Sequence, residues 1–443
     1  MKKRISLMLI SLMTATMVLG GCGSNYSTGT NGQSTKSGEV TKLNLWTFIG
    51  LHSNLYNDAA KSWNKAHPDQ PIELKVTTYP YTDMHNKLLV AVKSGVGAPD
   101  IADIEVGQFP NFTKGTPQLA DLSDIVAPEK ANFIQSRLDL YSKGGKVYGL
   151  PTHVGTTVAF YNKELFKKAG VDYTKIKTWD DYTAAGKIVK AKTGKYMGYL
   201  SQTANWEFSL MVGQQGSDIF DKSGNVTLDN PVAVKSLQLL HDMVFTDKIA
   251  AISPGGQPDT EEGYGAFNKG DAASVIMPFW YTSRLLANMP DLKGKIAIQA
   301  PPVFASGNKN LSVGLGGTGT AVPIQGKNVE LAKKFLFFAK GTEKASENIW
   351  NLEGFDPPRW DSWKKISANI GDTKFTQYFS NGKDAFNVLI PLKDSIATPV
   401  SIEKSPNAGT LLDSQVLFKV LKQNSATPQD ALKAAADELR KKQ

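Results

Sequence analysis

Residues 149–164 read Gly-Leu-Pro-Thr-His-Val-Gly-Thr-Thr-Val-Ala-Phe-Tyr-Asn-Lys-Glu. Pro151 and Gly155 punctuate the stretch, and residues 156–161 are β-branched and aromatic enough for a buried strand. Asn162-Lys163-Glu164 then opens a short helix that ends at Gly170. A chain that leaves one α/β unit through such a strand and starts another is built to hinge. Taken alone, the stretch also fits one more strand in a single large α/β domain.

The flanking sequence favours two units. Upstream, residues 43–48 predict a first strand with Leu43, Leu45 and Thr47 on one face. Residues 54–66 predict a helix with Leu55, Ala59, Trp63 and Ala66 in one stripe, stopped by Pro68. Ile72, Leu74 and Val76 alternate as a second strand. Met84, Leu88, Ala91 and Val92 mark a second helix ending at Ser94-Gly95, and residues 99–105 form a third strand. Strand–helix–strand–helix–strand is the parallel, doubly wound pattern.

Downstream the logic repeats. Thr178-Trp179-Asp180-Asp181 predicts a capping box with Asp in place of Glu, before a helix whose apolar face is Tyr182, Ala185, Ile188 and Val189. Asn230-Pro231 predicts an N-cap followed by Pro at N1. Residues 272–277 predict a buried strand, and residues 295–300, with Pro301-Pro302 behind them, the start of a return crossing. Residues 329–339 predict a helix of the first lobe; helices near 411–421 and 428–439 complete the second. With 443 residues the chain is long enough for two or three domains. The expected division is 1–21 an export signal, 22–40 a linker, 41–152 with 313–357 a first lobe, and 153–312 with 358–443 a second. Ligand would then sit at the carboxyl ends of the strands, in the cleft.

The N-terminus predicts the compartment. Lys2, Lys3 and Arg4 precede a short apolar run over residues 5–19, which is shorter than a membrane span and reads as a signal peptide. It ends in Leu19-Gly20-Gly21-Cys22, a lipobox pattern that predicts cleavage before Cys22 and diacylation of its sulfur, so that the chain is anchored to the outer face of the cell membrane. A buried structural cysteine is the competing reading, but a Ser/Thr/Gly/Asn tether follows. Cys22 is the only cysteine, so no intrachain disulfide and no cysteine-based metal or redox site is possible. Without Lys2, Lys3 and Arg4 the chain carries 47 basic and 41 acidic residues, a net charge of +6. The charges are interspersed, which argues against nucleic-acid binding. A monomer is expected.

Gly314-Leu315-Gly316-Gly317-Thr318-Gly319 formally matches G-x-G-x-x-G, but Thr320-Ala321-Val322-Pro323 follows where a nucleotide site needs a helix. The run reads instead as a tight return through the hinge, close to a neighbour or to ligand. Asp103 and Glu105, two apart on a strand, are expected to project from one face. They could accept hydrogen bonds from sugar hydroxyls, act as a glycosidase pair, or simply cap loops. Of the eight Trp, Trp63 and Trp179 fit helix faces and are expected in the core. Trp46, Trp206 and Trp280 stand at element ends, where an aromatic face can stack on sugar C–H groups. Trp350, Phe355, Asp356, Arg359, Trp360 and Trp363 cluster around Pro357-Pro358. His153 lies in the crossover itself, as a ligand contact or a satisfied hinge residue. The five His (52, 67, 85, 153 and 241) show no metal-ligand spacing, so neither a metal nor a cofactor is expected.

The crossover over residues 149–164 resembles that of extracytoplasmic solute-binding proteins of ABC sugar importers. Further motifs sharpen the resemblance: Leu45-Trp46-Thr47-Phe48, Tyr79-Pro80-Tyr81, Pro99-Asp100-Ile101-Ala102-Asp103, Met277-Pro278-Phe279-Trp280-Tyr281, residues 314–319, and Gly354-Phe355-Asp356-Pro357-Pro358-Arg359-Trp360. In order and spacing, across the whole mature chain, they resemble the arabino-oligosaccharide-binding lipoproteins of Gram-positive bacilli. The resemblance implies a two-lobed α/β periplasmic-binding-protein (Venus-flytrap) fold, each lobe a mainly parallel sheet flanked by helices. It also implies capture of an oligosaccharide and delivery to an ABC permease with a cytoplasmic ATPase, with no catalysis. Trp46, Glu105, His153, Trp206, Trp280, Gly316 and Gly317 would line the cleft; Phe48, Asp103, Tyr281, Asp356, Arg359 and Trp360 are further candidate contacts. A carboxylate familiar in the wider family a few residues into the crossover strand is replaced here by Val154-Gly155-Thr156. Xylo- or malto-type oligosaccharides remain alternative ligands, and a secreted glycoside hydrolase using Asp103 or Glu105 an alternative activity.

Overall fold

A computed structural model describes residues 38–441. The predicted export signal, Cys22 and most of the tether lie outside the described residues. Two five-stranded sheets organise the described chain. In the first, the strand Thr41–Thr47 runs parallel to Ile72–Thr78 on one side and Ile101–Glu105 on the other. Parallel neighbours need a crossover, and the helices His52–Ala66 and Tyr81–Ser94 supply it. The first packs Tyr56, Ala59 and Trp63 on Leu43, Leu45 and Ile101, beside Phe335 and Leu336 of the helix Val329–Lys340. The second covers the opposite face, with Met84, Leu88 and Val92 on Ala102 and Ile104. The buried stripe on the first helix is one turn shorter than predicted: Ala66 is exposed, and Tyr56 contributes instead.

The first sheet is completed by Thr318–Ala321 and Leu150–Pro151. The second has the order Ile296–Gln299, Thr157–Asn162, Ala272–Pro278, Tyr196–Leu200, Ala250–Ile252. In each, four strands run one way and one runs against both its neighbours: Thr318–Ala321 in the first and Thr157–Asn162 in the second. Both odd strands have just arrived from the other lobe. The remaining strands point their carboxyl ends at the crossings, so a strand that enters from a crossing must run away from it. The sheets are therefore mainly parallel, with one reversed strand each, and their carboxyl ends face the junction.

The predicted caps form. Thr178 and Asp181 close a reciprocal capping box, and the Asn230 side chain accepts the Ala233 amide ahead of Pro231; such caps contribute about 1 kcal/mol each. Ile188, assigned to the buried face of its helix, is 45% exposed. One boundary moves. Residues 296–299 do not begin the return crossing, because Ile296, Ala297 and Ile298 are fully buried as an edge strand against Thr157–Asn162. The return comes later, between Ser312–Val313 and Thr318–Ala321. The final helical segments, Leu412–Lys422 and Pro428–Lys441, bury Val416, Val420, Leu432 and Leu439 in the second core.

Candidate functional site

Three crossings lie side by side. The Val154 amide donates to the Asp356 carbonyl at 2.9 Å, joining the first crossing to the third. The Asp356 carboxylate accepts the amides of Gly155 at 3.1 Å and Thr156 at 2.8 Å. Burial pushes this carboxyl up to about 6, against the pull of those donors. The Leu315 amide donates to the Gly155 carbonyl at 2.9 Å, joining the second crossing to the first. Gly155 adopts φ +70°, and a Cβ there would lie 2.4 Å from the Leu315 carbonyl oxygen, so only glycine fits.

Residues 314–317 of the glycine run form the second crossing, which leads into the strand Thr318–Ala321 rather than a helix. Arg137, fully buried on the short helix Gln135–Asp139, donates to the carbonyls of Gly314 at 3.1 Å and Gly316 at 2.7 Å. The Trp280 indole donates to the intervening Leu315 carbonyl at 3.1 Å. A Cβ on Gly317 would meet the Arg137 guanidinium at 2.4 Å.

An aromatic wall stands beside these glycines. Trp206 and Trp280 meet edge to face, and a Cβ on Gly316 would lie 3.7 Å from Trp206. The Trp206 indole donates to Gln257 at 3.0 Å. The Arg284 guanidinium lies 5.5 Å from the Trp280 ring and pairs with Asp259 at 3.2 Å. From the first lobe, the Val106 amide donates to the Gly317 carbonyl, which brings the end of Ile101–Glu105 to the same crossing. There the Glu105 carboxylate accepts from Tyr81 at 3.1 Å and from the Gly107 amide at 2.7 Å. Burial pushes Glu105 up to about 7. Phe48 packs on Tyr81 and His85, with centroids 5.4 and 4.9 Å away. His85 faces the Tyr81 carbonyl through Nδ1 and accepts the Glu105 amide at Nε2, an arrangement only the neutral ring can make. Burial lowers its pKa to about 4, in keeping with that form.

The sequence-derived candidates therefore separate. Trp206, Trp280, Gly316, Gly317, Glu105 and Phe48 gather around the second crossing. Trp46 packs edge-on against Tyr79, beneath Lys87 on the helix Tyr81–Ser94, and shares none of these contacts. Asp103 and Glu105 do not act as a facing pair. Asp103 is fully buried and accepts from Tyr56 at 2.5 Å and Thr320 at 2.7 Å, with His52 at 2.9 Å. Burial opposes its charge, but His52, Lys340 and Tyr56 hold it well below the usual carboxylate range. Glu105 is the last residue of its strand, paired with Thr318, and its carboxylate is spent on Tyr81 and the Gly107 amide where the chain turns, away from the partners of Asp103.

Tyr281 is wholly buried, its hydroxyl on the Pro258 carbonyl. Asp356 is likewise without exposed surface and is spent on crossing backbone. Arg359, also buried, bonds Glu129, Asp361 and the Gly341 carbonyl. Trp360 lies at the surface, its indole on the Ala131 carbonyl and Lys393 over its ring. Arg359 and Trp360 thus fasten the third crossing to residues 129–132. His153 is buried against Phe355, and its Nδ1 has no partner. Burial, with Arg137, His52, Lys340 and Arg284 nearby, keeps it neutral and far below the usual imidazole range.

Sequence reasoning missed Arg137, His85, Gln257 and Arg284 as parts of this site. A five-residue helix carries no periodic signal, and His85, Gln257 and Arg284 are single polar residues on two helices and a loop, with no spacing that marks them. A groove of about 660 Å³ lies elsewhere, lined by Trp179, Pro231, Leu239 and Phe304, and shares no residue with the aromatic wall. Among the described residues no group of three His, Cys, Asp or Glu could hold a metal ion.

Residues 50–345 match the family described as bacterial extracellular solute-binding protein. The chain is 47% identical over 443 residues, all of both proteins, to the arabinooligosaccharide-binding protein of Bacillus subtilis (strain 168). It is 46% identical over 398 residues to the arabinooligosaccharide-binding protein of Halalkalibacterium halodurans, covering 90% of this chain and 88% of that one. Its fold is similar to that of the GacH receptor of Streptomyces glaucescens, with a TM-score of 0.75 at 21% identity, covering 91% of this chain and 98% of the other. The two mainly parallel sheets, the three hydrogen-bonded crossings and these relationships lead to one conclusion: the chain belongs to the bacterial extracellular solute-binding protein family.

Proposed function

We propose that this protein captures arabino-oligosaccharides outside the cell and delivers them to an ABC permease driven by a cytoplasmic ATPase. The observation that carries the reading is the Trp206–Trp280 wall beside the glycine crossing, where the carboxyl ends of both sheets face each other. Aromatic faces suit the C–H faces of pentose rings, and Gln257, Arg284 and Glu105 supply donors and acceptors for hydroxyls at the rim. The full-length relationship to the Bacillus subtilis arabinooligosaccharide-binding protein supports the choice of sugar. The mechanism is a population shift: ligand contacts made by both lobes favour the closed form, which the permease recognises.

The reading extends to the termini and the lobes. Cys22 carries a diacylglyceryl anchor after removal of residues 1–21, and a polar linker frees a monomeric domain from the membrane. Lobe I comprises 41–152 and 313–357, and lobe II 153–312 and 358–443. Cys22→Ser should move the protein from the membrane fraction to the medium.

The decisive measurement is calorimetric titration with arabinose and linear arabino-oligosaccharides of increasing length, alongside xylo- and malto-oligosaccharides. Tight binding of arabino-oligomers, with little heat from the monomer, is expected. Heat only from another series would replace the sugar, and release of shorter products would replace binding with hydrolysis.

A further inference from the structure

The second crossing is held alternately from two sides. Gly314 and Gly316 present their carbonyls to Arg137, and Leu315 presents its own to Trp280. Arg137 belongs to the first lobe: the next residue, Leu138, is in the first core. Trp280 belongs to the second lobe: it follows the strand Ala272–Pro278, and the adjacent Phe279 amide donates to Thr156 of the first crossing. Three successive carbonyls of one hinge segment are thus gripped by lobe I, lobe II and lobe I.

The surroundings fit this use. Arg137 is only 1% exposed, and no salt bridge neutralises it at contact distance among the described residues; it is offset by the two carbonyls and by the longer-range charges of Asp356 and Glu105. A planar guanidinium fork fixes two carbonyls in one geometry, whereas a lysine ammonium, with three rotatable donors, imposes none. Gly317 leaves the guanidinium room. The Trp280 N–H is consumed by the hinge, so only the ring is left to meet a ligand.

We propose that Arg137 and Trp280 are opposed grips that set the angle between the lobes, and that a sugar ring lying on Trp280 acts on this angle through the Leu315 carbonyl. Arg137 is then a positioning residue that touches no ligand. The second half of the proposal rests on the oligosaccharide reading; the first does not.

The test uses the purified full-length protein and the variants Arg137→Gln, Arg137→Lys and Trp280→Phe. The last keeps an aromatic face and removes the N–H. Small-angle scattering is recorded without ligand and with saturating arabinotetraose, and affinity is measured by calorimetry. Without ligand, Arg137→Gln and Trp280→Phe should each enlarge the radius of gyration, with Arg137→Lys intermediate. With ligand, the compaction of both should shrink, and Trp280→Phe should bind about fivefold more weakly for one lost hydrogen bond. Scattering identical to the parent in Trp280→Phe and in Arg137→Lys, both of which keep most of the side-chain volume, would overturn the grips even if Arg137→Gln failed to fold. A parent that neither binds nor compacts with arabinotetraose would overturn the sugar reading, while the ligand-free scattering would still decide the grips.

Discussion

Trp206 and Trp280 meet with ring centroids 5.6 Å apart and planes 70° apart. Both indole N–H groups are already engaged, by Gln257 and by the Leu315 carbonyl. Whatever these residues offer a sugar is therefore ring face and edge. Trp206 is half-buried and packs against both cores, and Trp206→Ala should weaken oligosaccharide binding by about 1–3 kcal/mol, as for bases stacked on aromatic rings. Trp280 is 7% exposed, and its truncation should also lower stability by about 3–5 kcal/mol. Calorimetry paired with thermal unfolding separates the effects: unchanged affinity in Trp206→Ala would leave it a packing residue.

Gly317 and Gly95 both have positive φ but differ in surroundings. A Cβ on Gly95, at φ +74°, meets nothing within 4 Å; on Gly317, at φ +138°, it collides with Arg137 and approaches the Tyr141 hydroxyl to 2.8 Å. Gly95→Ala should cost about 1 kcal/mol through backbone strain alone. Gly317→Ala should cost at least about 2 kcal/mol more, because it displaces a buried guanidinium from two carbonyls. Urea unfolding of the pair checks this; equal losses would mean that Arg137 yields freely.

What the sequence disclosed depended on how local the signal was. The helix of Met84, Leu88, Ala91 and Val92 was legible because its four apolar positions share one face, and all four are buried. Thr178 and Asp181 were legible because a capping box spans four residues. The glycine run was readable as a return because a strand-like segment follows it. Asp103 was misread because the partners that consume it, Tyr56, His52 and Thr320, lie 47 to 217 positions away. Arg137 was invisible for the same reason: its carbonyls come from 177 and 179 residues downstream. Residues 295–300 read as the start of a crossing because an edge strand and a crossing have the same local composition.

Asp356 holds two successive amides of the first crossing on its two oxygens. Asparagine would keep one acceptor and turn an NH2 group toward the other amide, leaving two donors facing each other. Asp356→Asn should therefore destabilise by about 1–3 kcal/mol. It should also loosen the crossing, which proteolysis between residues 152 and 157 would report. Stability and protease resistance equal to the parent would show that the backbone bonds among the three crossings suffice alone.

Glu353 supplies a pH test. It is fully buried at the end of the π-helical turn Ile349–Glu353. Burial raises its carboxyl to about 8; Asp103 pushes the same way, while Lys374, Arg284 and the Leu55 amide pull against it. A folded-state value above the unfolded one means that the protonated form favours folding. That stability is complete below about 4.5, the ordinary glutamate value, and is lost as the pH climbs through about 8, at no more than about 1.4 kcal/mol per unit. Glu105 and Glu207, both raised to about 7 by burial, act in the same sense. His85 and His153, held neutral in the fold, act in the opposite sense below about 6.5, so the carboxyls' decline is read from the difference between parent and variant melting temperatures over pH 5 to pH 9. In Glu353→Gln the amide imitates the neutral acid at every pH, so the decline should be shallower, with most of the difference between pH 5 and 8. Parallel profiles for parent and variant would mean that Glu353 is ionised in the fold and compensated by Lys374 and Arg284.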